Sequence, residues 1–358
     1  SALFADADAG FGAALQRFVN AVQDVAAAPT SIPARQVLLA EANALAGELR
    51  AQDERLARLA AEVNGRVGAA VSDVNGIAAS IAGLNERIVS AQARTGQPPN
   101  DLLDERDRLV DQLSARVAVS TVAQDDGALN VFIGTGQPLV LGPQAMPLSA
   151  QPDAYDPATL RVGIKTAAGF VDVTASLSGG ELGGLLDVQR QVLDPARRTL
   201  GQLAVGLAEA VNSQQRAGMT LTGAAGSDLF AVGGVQVLAN ESNAGSGSVA
   251  AARADISQLT AADYVLELGG SGWSLRRADT GDAVAMTGSG TAADPFRADG
   301  LEFVVSGAAS AGDRFLVRST FGAASGAQAL LTDPAGFAAA LPVRAAAAAA
   351  NSGGASAA

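Results

Sequence analysis

The 358-residue sequence has no histidine and no cysteine. The first absence removes His-based catalytic triads and His-ligated zinc. The second removes thiol nucleophiles, Cys-ligated zinc and disulfides. Aromatic residues make up only 4 %, with a single tryptophan, and Lys165 is the one lysine. Basic residues number 24 against 36 acidic ones, a net charge of −12. Without basic patches or stacking rings, no nucleic-acid partner is expected. No uncharged apolar run reaches the roughly 18–20 residues that span a bilayer, so no membrane partner is expected either. There is no Gly-Lys-Ser/Thr phosphate loop, and no cleavable signal peptide is visible at Ser1. The chain does not begin with methionine.

Hydrophobic residues amount to 48 %, enough for folded cores, and the length predicts two or three domains. The first third reads as helix. Phe11, Leu15, Phe18, Val19 and Val22 have helical spacing, and Pro29 and Pro33 follow as breakers. A second helix is predicted from near Arg35 as far as Gly96-Gln97-Pro98-Pro99. Within it Leu56, Leu59, Val63, Val67, Val71, Val74, Ile77, Ile81, Leu84 and Ile88 recur every 3.56 residues or so, between a coiled-coil seam and a straight helix. Such a rod must be covered by neighbouring helices or by other subunits. Gly65, Gly68, Gly76 and Gly83 lie inside it, and small residues there predict another helix packed closely along that stretch. A third helix is expected at Asn100, with Asn100 as N-cap, acidic side chains on the positive end of the macrodipole, and Leu102, Leu103, Leu109, Val110 and Leu113 as its buried stripe.

After Arg116 the period changes to two. Val117, Val119 and Thr121 alternate, Asp125-Asp126-Gly127 signals a turn, and Leu129, Val131 and Ile133 alternate again. Leu139–Leu141, Leu160–Ile164 and Phe170–Val173 are further strand-like pieces. Helical spacing returns at 180–216 through Leu186, Leu193, Leu200, Leu203, Leu207 and Val211. Asp194-Pro195 reads as a kink, because the stripe runs on across it; an N-cap followed by proline is the alternative. From 229 onward the pattern is again strand-like, with Tyr264, Leu266 and Leu268 turning through Gly269–Gly272 to Trp273 and Leu275, then Leu301, Phe303 and Val305, then Phe315 and Val317. The expected fold is α+β and multidomain: an elongated long-helix bundle over 1–116 and 177–228, a small β unit over 117–176, and an inserted β-rich outer domain over 229–322. Residues 323–358 then begin a return to the helices, ending in a flexible Ala- and Gly/Ser-rich tail.

Few residue groups invite chemistry. Asp6-Ala7-Asp8 opens like a calcium loop, but Gly10 and Arg17 stand where ligands would be needed. Asp101, Asp104, Glu105, Asp107 and Asp111 could form an acid/base pair or bind a divalent metal. With Arg106 and Arg108 interleaved, they read instead as a solvated helix face. Gly134-Thr135-Gly136 is followed by strand rather than helix, so it is not a dinucleotide loop. Trp273 reads as core packing before a ligand platform. No catalytic residue, metal ligand or cofactor is assigned. Asn64, Asn75 and Asn85 lie about ten residues apart on the long helix. They either face solvent or hydrogen-bond across a helix seam and fix its register.

One string is more specific. Asn100-Asp101-Leu102-Leu103-Asp104-Glu105-Arg106-Asp107 resembles the N-(N/D)-L-L-D-x-R-D motif of the flagellar hook-associated protein 1 family. Pro33–Gln36, Val71–Asn75 and Ile81–Asn85 upstream are similar to that family. So are Leu182–Leu186, Thr199–Ala204, Val211-Asn212, Asp263-Tyr264, Trp273, Gly300–Glu302 and Thr332–Pro334 downstream. Val188-Gln189 and Phe337-Ala338 depart from it. The resemblance implies a non-enzymatic structural component of the bacterial flagellum at the junction of hook and filament. It would be exported by the type III pathway and located outside the cell. Its implied partners are copies of itself, hook protein and hook-associated protein 3, with an export chaperone reading a C-terminal segment absent here. The resemblance also implies long terminal segments beyond both ends of this sequence. The alternatives are another axial protein, hook-associated protein 3 or flagellin-like, and, distantly, an exported carboxylate-based hydrolase, which would need two carboxylates facing one cleft.

Overall fold

The computed structural model describes residues 10–166 and 169–340. The Asp6-Ala7-Asp8 string and the expected flexible tail lie outside the described residues. Helix α1 spans Phe11–Ala27 and α2 spans Ile32–Thr95. The 64 residues of α2 make a rod roughly 95 Å long at 1.5 Å per residue. It begins three residues before the expected Arg35. Ser31 caps it by accepting from the Ala34 N–H (3.4 Å), and Pro33 sits in the first turn, where its missing N–H costs nothing. It ends at Gly96 in the left-handed conformation (φ 65°), whose N–H reaches Gln92 O. Helix α3, Asn100–Arg116, begins differently from the expectation. Pro99 is the N-cap, Asn100 is already helical, and no side chain caps the start.

Two small antiparallel sheets follow. The first holds β1 (Val119–Ala123), β2 (Leu129–Ile133), β3 (Gln137–Leu141) and β4 (Gln144–Ala145) in the order β1-β2-β3-β4. The second holds β5 (Leu148–Pro152), β6 (Leu160–Thr166) and β7 (Gly169–Asp172) in the order β5-β6-β7. The chain then re-enters helix as α4 (Gly180–Val188), one π turn (Gln189–Leu193) and α5 (Asp194–Ala217). The residues around Asp194-Pro195 stay right-handed helical, so the helix runs on as the unbroken stripe required. The π turn lies just before the proline, where the ordinary i−4 bond is lost.

The second half of α2 packs against both sheets, α3 and α4 around Val71, Val74, Ile81, Leu113, Val131, Leu139, Val162 and Leu182. The first half packs against α1, α5 and the last described residues around Phe18, Leu45, Leu49, Leu56, Leu200 and Phe337. The apolar stripe of the rod is thus covered within its own chain except at Leu59, which is exposed. The glycine expectation holds in part: α3 and α4 do pack on this half of α2, but not over the glycines. Gly65, Gly76 and Gly83 are exposed, Gly68 is half-buried, and none has a neighbour within 4 Å of where a Cβ would stand. They lie off the packed stripe, and no helix approaches them. In α3 only Leu113 of the predicted stripe is fully buried; Leu102, Leu103, Leu109 and Val110 are half-buried at the rod's edge.

After α5 the chain leaves through β8 (Phe230–Ala231) into the outer β region. This comprises β9 (Gln236–Ala239), β10 (Ser248–Arg253), β11 (Asp263–Gly269), β12 (Gly272–Arg277), β13 (Ala283–Val284), β14 (Phe296–Ala298), β15 (Leu301–Ser306) and β16 (Arg314–Arg318). A five-stranded sheet, β13-β12-β11-β16-β9, and a three-stranded sheet, β10-β15-β14, enclose a third core around Tyr264, Leu266, Leu275, Phe303 and Val317. Trp273 packs in this region, 6.1 Å from the Phe315 ring. The chain comes back through β17 (Gln328–Ala329), which pairs with β8 and closes the excursion at its base.

The base is tight. A Cβ on Gly201 of α5 would fall inside the Thr320 carbonyl, while the Thr320 hydroxyl donates to Arg198 O (3.1 Å). Gly201→Ala therefore requires the outer region to move off α5. We expect a loss of about 1–3 kcal/mol, the range for overpacking, in a denaturant melt, with Gly206→Ala, which has open space at its Cβ, near neutral or stabilising.

Candidate functional site

A buried amide cannot stay unpaired, because stripping it of water without a partner costs about 1–3 kcal/mol. Asn75 and Asn85 lie on or beside the packed stripe of α2, and both clasp strand backbone. Asn85 Nδ2 donates to Leu129 O (2.8 Å) and Gly142 O (2.7 Å), and its Oδ1 accepts from Leu129 N (3.0 Å). Asn75 Nδ2 donates to Leu148 O (2.8 Å) and its Oδ1 accepts from Leu148 N (2.7 Å). Asn64 does the same more loosely, with Ala158 O (2.6 Å) and Leu160 N (3.3 Å). The Asn75 amide, and the Asn85 amide at Leu129, pair with both the N–H and the C=O of one strand residue, as a neighbouring strand would. The three fix both small sheets along the rod at spacings set by the helix. Asn85 is buried while Asn64 and Asn75 are half-buried, and the backbone the three amides hold belongs to strands and turns rather than to a second helix.

The Asn100–Asp107 string meets this clasp through one member. Arg106 is buried, and its Nη1 donates to Gly127 O (2.7 Å) and Asn85 Oδ1 (3.3 Å). It ties α3 to the β1–β2 turn, where Gly127 adopts φ 87°. Burial pulls the guanidinium below its usual pKa, and the neighbouring Asp107 opposes that. Asp101, Asp104, Glu105, Asp107 and Asp111 are exposed, as a solvated face requires, and Leu102 and Leu103 are half-buried. Among the described residues no group of three or more carboxylates is placed to hold a metal ion.

The far end of the rod uses the same devices on residues to which the sequence alone gave no such role. Asn212 of α5 donates to Phe230 O (2.7 Å) and accepts from the N–H groups of Leu229 and Phe230 (both 2.9 Å). Gln215 clasps Gly336 O (2.8 Å) and Ala338 N (3.0 Å). Arg35 of α2, 1 % exposed, donates to Pro29 O (2.7 Å), Pro334 O (3.2 Å) and Phe337 O (2.7 Å). Arg50 donates to Ala327 O. The signal was available in part: Asn212 and Gln215 continue the buried stripe of Leu200, Ala204 and Ala208, and an amide on such a stripe demands backbone partners.

Beside these clasps lies an apolar groove of about 580 Å³ between α1, α5 and the returning chain. Val19 and Val22 line it and are 38 % and 42 % exposed. Of the helically spaced residues of α1, Phe18 is buried and Phe11 and Leu15 pack partly against the same core, which Ala14, Ala21 and Val25 complete.

The family models follow these cores. A family described as the flagellar hook-associated protein FlgK helical domain matches residues 1–230, and one described as the flagellar hook-associated protein 1 D2-like domain matches residues 238–319. The chain belongs to the flagellar hook-associated protein 1 family. It is 34 % identical over 330 residues to flagellar hook-associated protein 1 of Escherichia coli, covering 90 % of this chain and 59 % of that one. The Salmonella typhimurium relative is 34 % identical over 320 residues, covering 88 % and 58 %. The solved structure of the flagellar hook junction protein FlgK from Burkholderia pseudomallei superposes with a TM-score of 0.84 at 34 % identity, over 92 % of this chain and 60 % of that chain. This chain therefore spans about three fifths of these relatives of the hook-associated protein 1 family. Its α+β architecture, with one long helix and several small antiparallel sheets, is that of the family.

Proposed function

We propose that this chain is the core of a hook–filament junction subunit, a non-catalytic axial component of the bacterial flagellum. The observation that carries the reading is the single ordered match that runs from the helical body through the outer region. The physics supports it. A rod whose sheets are clasped at fixed points transmits load along its length without sliding. The absence of disulfides suits export of an unfolded chain into an extracellular polymer. The groove beside α1 and α5 offers apolar surface to the further chain that the longer relatives have. Its neighbours in the polymer would be copies of itself, hook protein and hook-associated protein 3. Contact with an export chaperone would fall to a segment this chain does not include.

The test is a graft. Residues 10–340 replace the matching part of a full-length relative, expressed in a strain whose own junction protein is deleted. We expect swarming and attached filaments to return. Bare hooks with filament protein shed into the medium, despite export of the graft, would overturn the reading.

A further inference from the structure

An ionic patch lies where the helical body meets the outer region. From the body come Asp53 on α2, Asp156 in the β5–β6 loop, and Asp194, Arg197 and Arg198 on α5. From the outer region come Asp263 on β11, Arg318 on β16, and the Phe321 ring. Arg198 pairs with Asp263 (3.2 Å) and Arg318 with Asp156 (2.7 Å), so two ion pairs of the patch cross the boundary; Arg161 on β6 with Glu241 after β9 is a third crossing pair outside it. Arg197 pairs with Asp53 (3.7 Å) inside the body. The Arg197 and Arg318 guanidiniums lie 4.2 and 4.3 Å from the Phe321 centroid. Side-chain exposures of 6 % for Asp53, 11 % for Asp263 and 13 % for Arg318 mark the patch as largely dry.

The patch is unbalanced. Four carboxylates face three guanidiniums, so one negative charge is left over. It is also under-paired: Asp53 Oδ1, Asp263 Oδ1, Gln189 Oε1, Arg197 Nε and Arg318 Nε are buried without hydrogen-bond partners. A buried charge without a counter-charge weakens the contact that buries it. An unpaired buried carboxylate oxygen is a seat for a proton.

We propose that this patch is a proton-locked joint: the outer region is held most firmly on the helical body when the four-carboxylate cluster takes up one proton, and is freer when all four are ionised. The sign follows from linkage. In the closed joint burial pushes the Asp194 carboxyl above the usual carboxylate range, against the Gln189 bond and the charges of Arg318, Arg198 and Arg197. Burial does the same to Asp263, against Arg198 and Arg318 and with Asp194 adding to the rise. Asp156 differs. Burial raises it too, but the bond and charge of Arg318 outweigh that and hold it below the usual range. Opening would return each group toward the ordinary value near 3.9. The closed form therefore binds a proton on Asp194 or Asp263 more tightly than the open form. The ratio of closed to open rises as pH falls through their raised values, by at most about tenfold per pH unit for one proton. Asp156, held low, stays ionised through that range, and its bond to Arg318 serves as the fixed point.

The absence of cysteine makes the test clean. Ala61→Cys on α2 and Ser271→Cys in the β11–β12 turn, both exposed, carry spin labels on the whole chain, and pulsed electron resonance reads the distance between them at about pH 8 and about pH 4, the second close to the ordinary carboxylate value. We expect a broad distribution that narrows in acid. Asp263→Asn, which imitates the protonated carboxyl, should be narrow at both pH values and lose the response. Asp194→Asn removes the same excess charge from the α5 side and should do likewise if Asp263→Asn folds poorly. A distribution that broadens in acid, one that does not change, or a full response surviving both substitutions overturns the proposal. So does loss of helical circular dichroism at the lower pH.

Discussion

Asn85→Ala is expected to be the most damaging single change in the rod. Asn85 is fully buried and uses its entire hydrogen-bonding capacity: two donors to Leu129 O and Gly142 O, and an oxygen shared by Leu129 N and Arg106. Alanine leaves two carbonyls, an N–H and a buried guanidinium short of a partner at once. Each orphan costs about 1–3 kcal/mol, and they do not add fully because the β1–β2 turn relaxes as one piece, so we expect a loss of about 3–5 kcal/mol. For a body of this size that lowers the melting temperature by roughly 10 °C. Asn64→Ala is the internal control. Its amide is exposed at one of its bonds and single at each partner, so the loss should be near 1 kcal/mol. Calorimetry of the two variants decides the matter: an Asn85 variant that melts no lower than the Asn64 variant would show that the clasp does not hold the first sheet to the rod.

Arg35→Ala is expected to have the second-largest effect, and a local one. The guanidinium holds three carbonyls, two of them from the returning chain about 300 residues away in sequence. Hydrogen bonds from a charged donor contribute about 1.5–3 kcal/mol each, and water can replace some of what is lost at the groove edge, so we expect about 3 kcal/mol to go from the return segment. Hydrogen exchange of peptides covering 330–340 should then speed up roughly hundredfold, while peptides from β11 and β16 change little. Unchanged exchange there would mean that Gln215, with its clasp of Gly336 and Ala338, holds the segment alone.

Periodicity made much of this fold legible. The long stripe of α2, the alternation after Arg116 and the strands around Tyr264 and Trp273 each reflect which face of an element avoids water, and that is written locally. What covers a face is not. The stripe from Val67 to Ile81 is met by sheets, α3 and α4 on one side only, and so the glycines at 65, 76 and 83 face open space. Val19 and Val22 show the same gap from the other side: their spacing is helical, and the described chain brings nothing over them. The asparagines at 64, 75 and 85 drew notice through their spacing, yet their partners could not be read, because one amide looks alike whether it clasps a helix or a strand. Arg106 was visible only as part of a motif and not as the residue that goes inside. The ionic joint was wholly hidden. Asp53, Asp194, Asp263 and Arg318 come from four elements far apart in sequence, and only the closed fold brings them together.

The π turn at Gln189–Leu193 has a consequence for how one helix serves two interiors. A π turn carries one extra residue, which advances the side-chain phase by roughly 100° relative to an unbroken α-helix. Before it, Leu182, Leu185 and Leu186 point into the core shared with the two small sheets; at its end and beyond, Leu193, Leu200 and Ala204 point into the core shared with α1. The extra residue works like a vernier, turning the second half of the helix to an angle that no choice of leucines on a regular helix could reach. Length between Val188 and Asp194 is therefore less tolerant of change than composition, and a swap of side chains there is a smaller disturbance than the gain or loss of a single peptide unit.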